Sequence, residues 1–296
     1  LKANTSGTDN TSLGSNSLLT NTTGVNNTAL GQGAMYFNDT GGCNVAIGKS
    51  SLFKNTTASD NTAVGDSSLK CNTSGTLNTA LGLCALHTNV SSNHNTALGA
   101  NSLKDNTGIQ NTAVGSASLF KNSSGENHVA VGYLSLACNT TASNNTAVGF
   151  ASLCANTTGT ANVAVGRLAM CSNTTGGNNT SIGLNSMLKN TTGCCNVALG
   201  MHSLDKNTEG DTNTAVGHKS LCSNTTADNN TSVGAFALCS NTTGVQNTAI
   251  GADALKANTT ANNNVAVGDD SLAANTTGTS NIAVGQGAMN TNTEGN

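Results

Sequence analysis

The chain has 296 residues, a formal net charge of -3 and 8% charged side chains, with 2% aromatics and neither Pro nor Trp. No basic or acidic block is present, which speaks against nucleic acid as a partner and against a membrane-surface helix; no apolar run approaches the ~20 residues that span a bilayer. A composition rich in Asn, Thr, Gly, Ser and Ala would ordinarily mark a disordered segment, but here the apolar residues return to fixed positions, and a chain without a fold has no reason to keep them there.

The phrase Asn145-Thr146-Ala147-Val148-Gly149 repeats along the whole sequence, and its closing glycine recurs from Gly14 to Gly285 at intervals of 17 residues, with a single interval of 16 between Gly99 and Gly115. Such a period means one supersecondary unit stacked on copies of itself. We therefore expect 1–296 to be a single continuous array of about 17 coils. Leu1 and Asn296 both cut the repeat mid-unit, which predicts a window on a longer or processed chain.

Positions are counted from each glycine as slot 0. Slot 3 is Ser or Ala and slot 4 is Leu or Met, as at Ser68-Leu69 and Ala169-Met170; slot 7 is Asn in every copy. Slots 8 to 10 usually read Thr-Thr-Gly, slot 13 is Asn except for His128, and slots 14 to 16 read Thr/Val-Ala/Ser-Val/Ile/Leu. The shortened copy loses its residue around Asn106-Thr107-Gly108, in the turn.

Slots 14 to 16 have the two-residue period and the β-branched content of a strand. A second strand is expected around Ser-Leu, with corners at the glycine and at Asn-Thr-Thr-Gly. A helix is disfavoured by the Gly and Asn load. The fold class predicted is all-β: a parallel β-solenoid, or β-roll, with two short strands per coil, stacked at ~4.8 Å into a rod of about 80 Å.

Asn72, Asn139, Asn156, Asn173, Asn190, Asn224 and Asn241 of slot 7 would then lie above one another and could pass amide hydrogen bonds along the stack; the bland alternative is a turn residue that tolerates left-handed backbone. Glycine in slot 10 suggests a positive φ there. Slot 15, with Ala147, Ala164, Ser181, Ala198 and Ala215, points opposite to slots 14 and 16. If those two fill the core, the small row faces out, and its unvarying size implies other copies of the chain packed against it around a shared axis, three being the expected number.

Runs such as Asn162-Val163-Ala164-Val165-Gly166 resemble the Ser/Asn-Val-Ala-Ile-Gly phrase of YadA-like trimeric autotransporter adhesin heads. The resemblance implies left-handed parallel β-rolls trimerised along a rod. The longer segment from Asn139 to Gly149 resembles repeats of phage tail-fibre-type proteins, which end in a self-cleaving chaperone domain.

Five histidines occupy different slots, none with an acid at a recurring spacing; His202 and Asp205 read as a chance surface pair. We expect no enzyme, no cofactor and no metal site. Cys154 with Cys171, and Cys222 with Cys239, share slot 5 in neighbouring coils, within disulfide reach if the coils stack; Cys138 and the vicinal Cys194-Cys195 could join other coils or chains. Otherwise slot 5 merely tolerates any mid-sized residue. Disulfides would indicate an oxidising, extracellular setting. Asn156, Asn173 and Asn224 also satisfy the Asn-x-Ser/Thr glycan-acceptor pattern, or are simply a by-product of the turn.

Two functions compete. One is a structural extracellular fibre or stalk, on a cell or virion surface, whose partner is itself as a trimer or filament and whose tip meets a receptor. The other is an ice- or polysaccharide-binding face built from the stacked Thr rows of slots 8 and 9, which Asp39, Val90, Glu209 and Glu294 interrupt.

Overall fold

The computed structural model describes residues 2–295, which form two compact units, Leu1–Asn145 and Thr146–Asn296. Each is a parallel β-solenoid with one three-residue strand per coil, and no helix is present among the described residues. The first unit carries β1 (Thr11–Leu13), β2 (Thr28–Leu30), β3 (Val45–Ile47), β4 (Thr62–Val64), β5 (Thr79–Leu81), β6 (Thr96–Leu98), β7 (Thr112–Val114) and β8 (Val129–Val131). The second carries β9 (Thr146–Val148), β10 (Val163–Val165), β11 (Thr180–Ile182), β12 (Val197–Leu199), β13 (Thr214–Val216), β14 (Thr231–Val233), β15 (Thr248–Ile250), β16 (Val265–Val267) and β17 (Ile282–Val284).

Within each unit every strand pairs in parallel with the next at the same slot, as Val163↔Thr180, Ala164↔Ser181 and Val165↔Ile182. Backbone bonds between coils continue around the other sides. Gly166 N–H donates to Val148 O at 2.8 Å, Leu153 N–H to Ala169 O at 3.0 Å, and Thr174 N–H to Thr191 O at 2.9 Å. A three-residue strand alone is too short to hold a sheet, so this all-round ladder is what keeps the coils in register.

The expected solenoid is present, but its Ser-Leu leg is not a second strand. Slots 2 and 4 both take left-handed backbone, as at Leu168 (φ 57°) and Met170 (φ 50°) or His202 (φ 56°) and Leu204 (φ 51°). Two left-handed residues per leg cost about 2 kcal/mol or more, which the roughly 2 kcal/mol from burying the slot-4 Leu or Met offsets together with the hydrogen bonds between coils. The flipped backbone sends the slot-4 side chain inward, where Leu153, Met170, Met187 and Leu204 are all fully buried.

Glycine in slot 10 answers to space instead of to φ, since the left-handed positions are slots 2, 4 and 12. A Cβ on Gly176 would lie 2.3 Å from Gly193 O and 2.7 Å from Asn173 Oδ1. Ala142, Ala227 and Ala261 occupy the same slot, so the squeeze can be relieved by a small shift. The closing glycine has no such freedom: Gly200 combines φ +133° with a Cβ position 2.5 Å from Gly217 O.

Candidate functional site

The inward face of each strand is the small one. Ala147, Ala164, Ser181, Ala198 and Ala215 of slot 15 are fully buried within the chain itself, which overturns the expectation that this row faces other copies. Where the slot is Ser, its hydroxyl proves the direction: Ser181 Oγ donates to Ser186 O at 2.8 Å and Ser232 Oγ to Ala237 O at 2.8 Å, across the coil interior. The reason is width. Slot-4 Leu or Met and the two Asn slots already fill the thin interior, so the strand opposite them has room for a methyl or a hydroxyl only.

The asparagines line that interior as a ladder. Asn173 Nδ2 donates to Asn156 Oδ1 at 2.8 Å and to Gly176 O at 2.9 Å; Asn190 donates likewise to Asn173 at 2.8 Å and Gly193 at 2.9 Å. Asn224 reaches Asn207 at 2.8 Å and Asn241 reaches Asn224 at 3.3 Å; in the first unit Asn72 reaches Asn55 at 3.2 Å and Asn139 reaches Asn122 at 2.7 Å. Slot 13 forms a second ladder that the sequence only hinted at. Asn179 N–H donates to Asn162 Oδ1 at 3.0 Å, while Asn162 Nδ2 donates to Gly176 O at 2.8 Å, so the slot-10 carbonyl receives both Asn rows. His128 substitutes in this row: its Nε2 meets Ala142 O at 2.7 Å and its Nδ1 accepts from Asn145 N–H at 3.2 Å. Burial first of all holds the His128 pKa below the usual histidine range, against these two backbone bonds.

The same geometry removes the glycan acceptors. Asn156, Asn173 and Asn224 are fully buried with Nδ2 donating to the slot-10 carbonyl of their own corner, so no sugar can be carried there in the folded chain. The slot-8 threonine hydroxyls are also engaged, Thr174 Oγ1 donating to Thr191 O at 3.1 Å and Thr191 Oγ1 to Thr208 O at 2.9 Å. They stitch coils together and present no free row of hydroxyls.

What remains outward is the large side of the strand. In the second unit slot 16 runs Val148, Val165, Ile182, Leu199, Val216, Val233, Ile250, Val267 and Val284, flanked by the Thr, Val or Ile of slot 14. Ile182, Leu199 and Ile250 are 39%, 37% and 41% exposed, a high value for aliphatic residues in the middle of a sheet. The first unit repeats the pattern, with Ile47 38% and Leu81 48% exposed. Neither slot holds a charged residue in any strand.

Of the cysteine pairs, Cys222 and Cys239 are brought together, their Sγ atoms 2.7 Å apart. Cys154 and Cys171 hold the equivalent slot in the coils after β9 and β10, and both are half-buried. Cys194 N–H donates to Asp211 Oδ1 at 2.7 Å; burial, then the Asp211 carboxylate, pushes the Cys194 thiol up to about 11. His202 Nδ1 and Asp205 Oδ2 are in contact at 2.9 Å. Among the described residues there is no group of three or more metal-ligating side chains and no helix long and apolar enough to cross a membrane.

The fold and surface define a parallel β-solenoid repeat protein with an inward polar ladder and an outward aliphatic row. Compared with known proteins, the chain matches no family model and no curated protein.

Proposed function

We propose that this chain is a structural segment of an extracellular fibre or stalk, on a cell or virion surface, whose copies associate side by side through the outward face of their strands. The carrying observation is the uncharged aliphatic row of slot 16, half-buried along the second unit and exposed at Ile182, Leu199, Ile250 and Val284. A stable interface takes ~800 Å² per partner, and the nine strands of the second unit turn their slot-14 and slot-16 side chains outward without one charged residue among them. Large exposed apolar patches mark interaction surfaces, and a second copy, having the same row at the same spacing, is complementary to it. A three-fold arrangement is the one proposed. Ice binding draws no support from the slot-8 threonines, whose hydroxyls are used between coils, which leaves it only the slot-9 row.

Sedimentation equilibrium of the purified chain, with electron microscopy for shape, is the test. The wild type should run as an oligomer of elongated particles, and the triple variant V165K/I182K/L199K should run as a monomer with an unchanged circular dichroism spectrum. A wild type that stays monomeric at micromolar concentration, or a variant of unaltered mass, overturns the proposal.

A further inference from the structure

We propose that Cys222 and Cys239 form a thiol–disulfide exchange site that takes an anionic low-molecular-weight disulfide and keeps its oxidising equivalents as a bond between two neighbouring coils. The two residues hold slot 5 in the coils after β13 and β14. Their placement is set by the backbone on both sides: Leu221 N–H donates to Ala237 O at 2.9 Å and Ser223 N–H to Cys239 O at 3.1 Å. Their Sγ atoms are thereby held 2.7 Å apart, and both residues are half-buried. Few slots could do this, because stacked side chains meet only when the same slot holds cysteine in successive coils.

The pair lies on the wall of a cleft of about 380 Å³, shared with His202, Asp205, Lys206, Lys219 and Phe236. His202 and Asp205 satisfy each other at 2.9 Å, which leaves Lys206 and Lys219 to set the charge of the cleft; Lys219 Nζ stands 5.7 Å from the Phe236 ring. Lys256, 5.4 Å from the same ring, is tied to Asp253 at 3.0 Å. Two ammonium groups beside a thiol pair favour a carboxylate-bearing partner over a cationic one.

The two sulfurs are not equivalent. The hydrogen bond from Cys239 pulls the Cys222 thiol down to about 6; burial opposes this, and Ser223, Lys206 and Lys219 reinforce it. The same shared bond pushes the Cys239 thiol up. Ser223 Oγ also stands 3.9 Å from Cys222 Sγ, a hydroxyl that can donate to a thiolate there, so Cys222 takes the attacking role and Cys239 the resolving one. Cys222 Sγ attacks one sulfur of the incoming disulfide, forming a mixed disulfide and releasing the other half as a thiolate. Cys239 passes its proton to that thiolate and attacks Cys222 Sγ, closing the bond between the coils and expelling the second half, which takes up the proton lost from Cys222. The protein pair is oxidised by two electrons, and the small disulfide is reduced to two thiols.

The test is to incubate the full chain with oxidised glutathione or, in parallel, with cationic cystamine, and to map the products by mass spectrometry after alkylation. Wild type should give a Cys222–Cys239 cross-linked peptide two hydrogen atoms lighter than its parts, and C239S should trap a glutathione adduct on Cys222. Oxidised glutathione should outpace cystamine, and Cys222 should react roughly tenfold faster than exposed Cys43. The wild-type map stands without the variant if C239S folds poorly. Adducts spread evenly over the cysteines, or no cross-link, overturn the site; cystamine reacting as fast or faster overturns the anionic partner.

Discussion

The coil between Gly183 and Gly200 and the coil between Gly99 and Gly115 differ by one residue, and that residue separates two kinds of order in the stack. In the regular coil Asn190 Oδ1 accepts from Asn207 Nδ2 at 2.8 Å, while its own Nδ2 serves Asn173 and Gly193. In the short coil Asn106 Nδ2 turns to Gly108 O at 2.8 Å, two residues on instead of three, and Asn89 Oδ1, fully buried, has no hydrogen-bond partner. The sheet is untouched: Thr96↔Thr112, Ala97↔Ala113 and Leu98↔Val114 keep their register. So does the slot-13 ladder, where Asn111 N–H reaches Asn95 Oδ1 at 3.0 Å. Strand pairing and slot 13 depend only on the residues after the corner. The slot-7 ladder depends on the corner itself.

The largest effect should come from the feature that both coils share. Gly200→Ala places a methyl against Gly217 O in strained backbone, and should lower stability by about 4 kcal/mol in urea unfolding, as the equivalent change at Gly99 should too. Next comes the ladder. Asn190→Ala strands the Asn173 Oδ1 acceptor inside the coil and leaves Asn207 Nδ2 with Gly210 O alone, while Gly193 O keeps Asn179, and should cost about 3 kcal/mol; Asn89→Ala, which discards an acceptor already idle, should cost at least about 1 kcal/mol less. Equal costs would mean that the missing bond in the short coil is of no energetic consequence.

Inserting a Thr between Thr107 and Gly108 restores the 17-residue interval and should return a partner to Asn89 Oδ1, with a gain of about 1 kcal/mol and slower amide exchange at that corner. The smallest effect concerns His128, in the coil directly after the lesion. Its folded pKa lies below the ordinary 6.5, so the neutral ring is favoured by folding. Stability from this site is present above about pH 6.5 and declines as pH falls below it toward the depressed folded value, because burial penalises the protonated ring. Thermal melts of wild type and His128→Asn from pH 7.5 to 5 should diverge in that window, the Asn variant being the flatter.

Much of this was legible in the residues. The invariant Asn of slot 7 announced a ladder, and the deletion at Asn106-Thr107-Gly108 announced a turn. The left-handed Leu and Met of slot 4 were not legible, since nothing in Ser-Leu distinguishes an extended pair from an alternating one. The meeting of Cys222 with Cys239 was legible from their shared slot, whereas the 2.7 Å approach of the two sulfurs also needs the side-chain rotamers. The Asn-x-Thr pattern at Asn156 misled because it specifies a local motif and says nothing of burial.

By itself the sequence determined the period, the parallel stacking and the residues that stack, because a 17-residue repeat can satisfy its backbone only against its own copies. Only the tertiary structure decided which way each strand faces. Thr-Ala-Val alternates equally well in either phase, and the choice falls to the width of the coil: with Leu and two asparagines inside, Ala147 fits and Val148 does not, so the larger side chains line the outer surface.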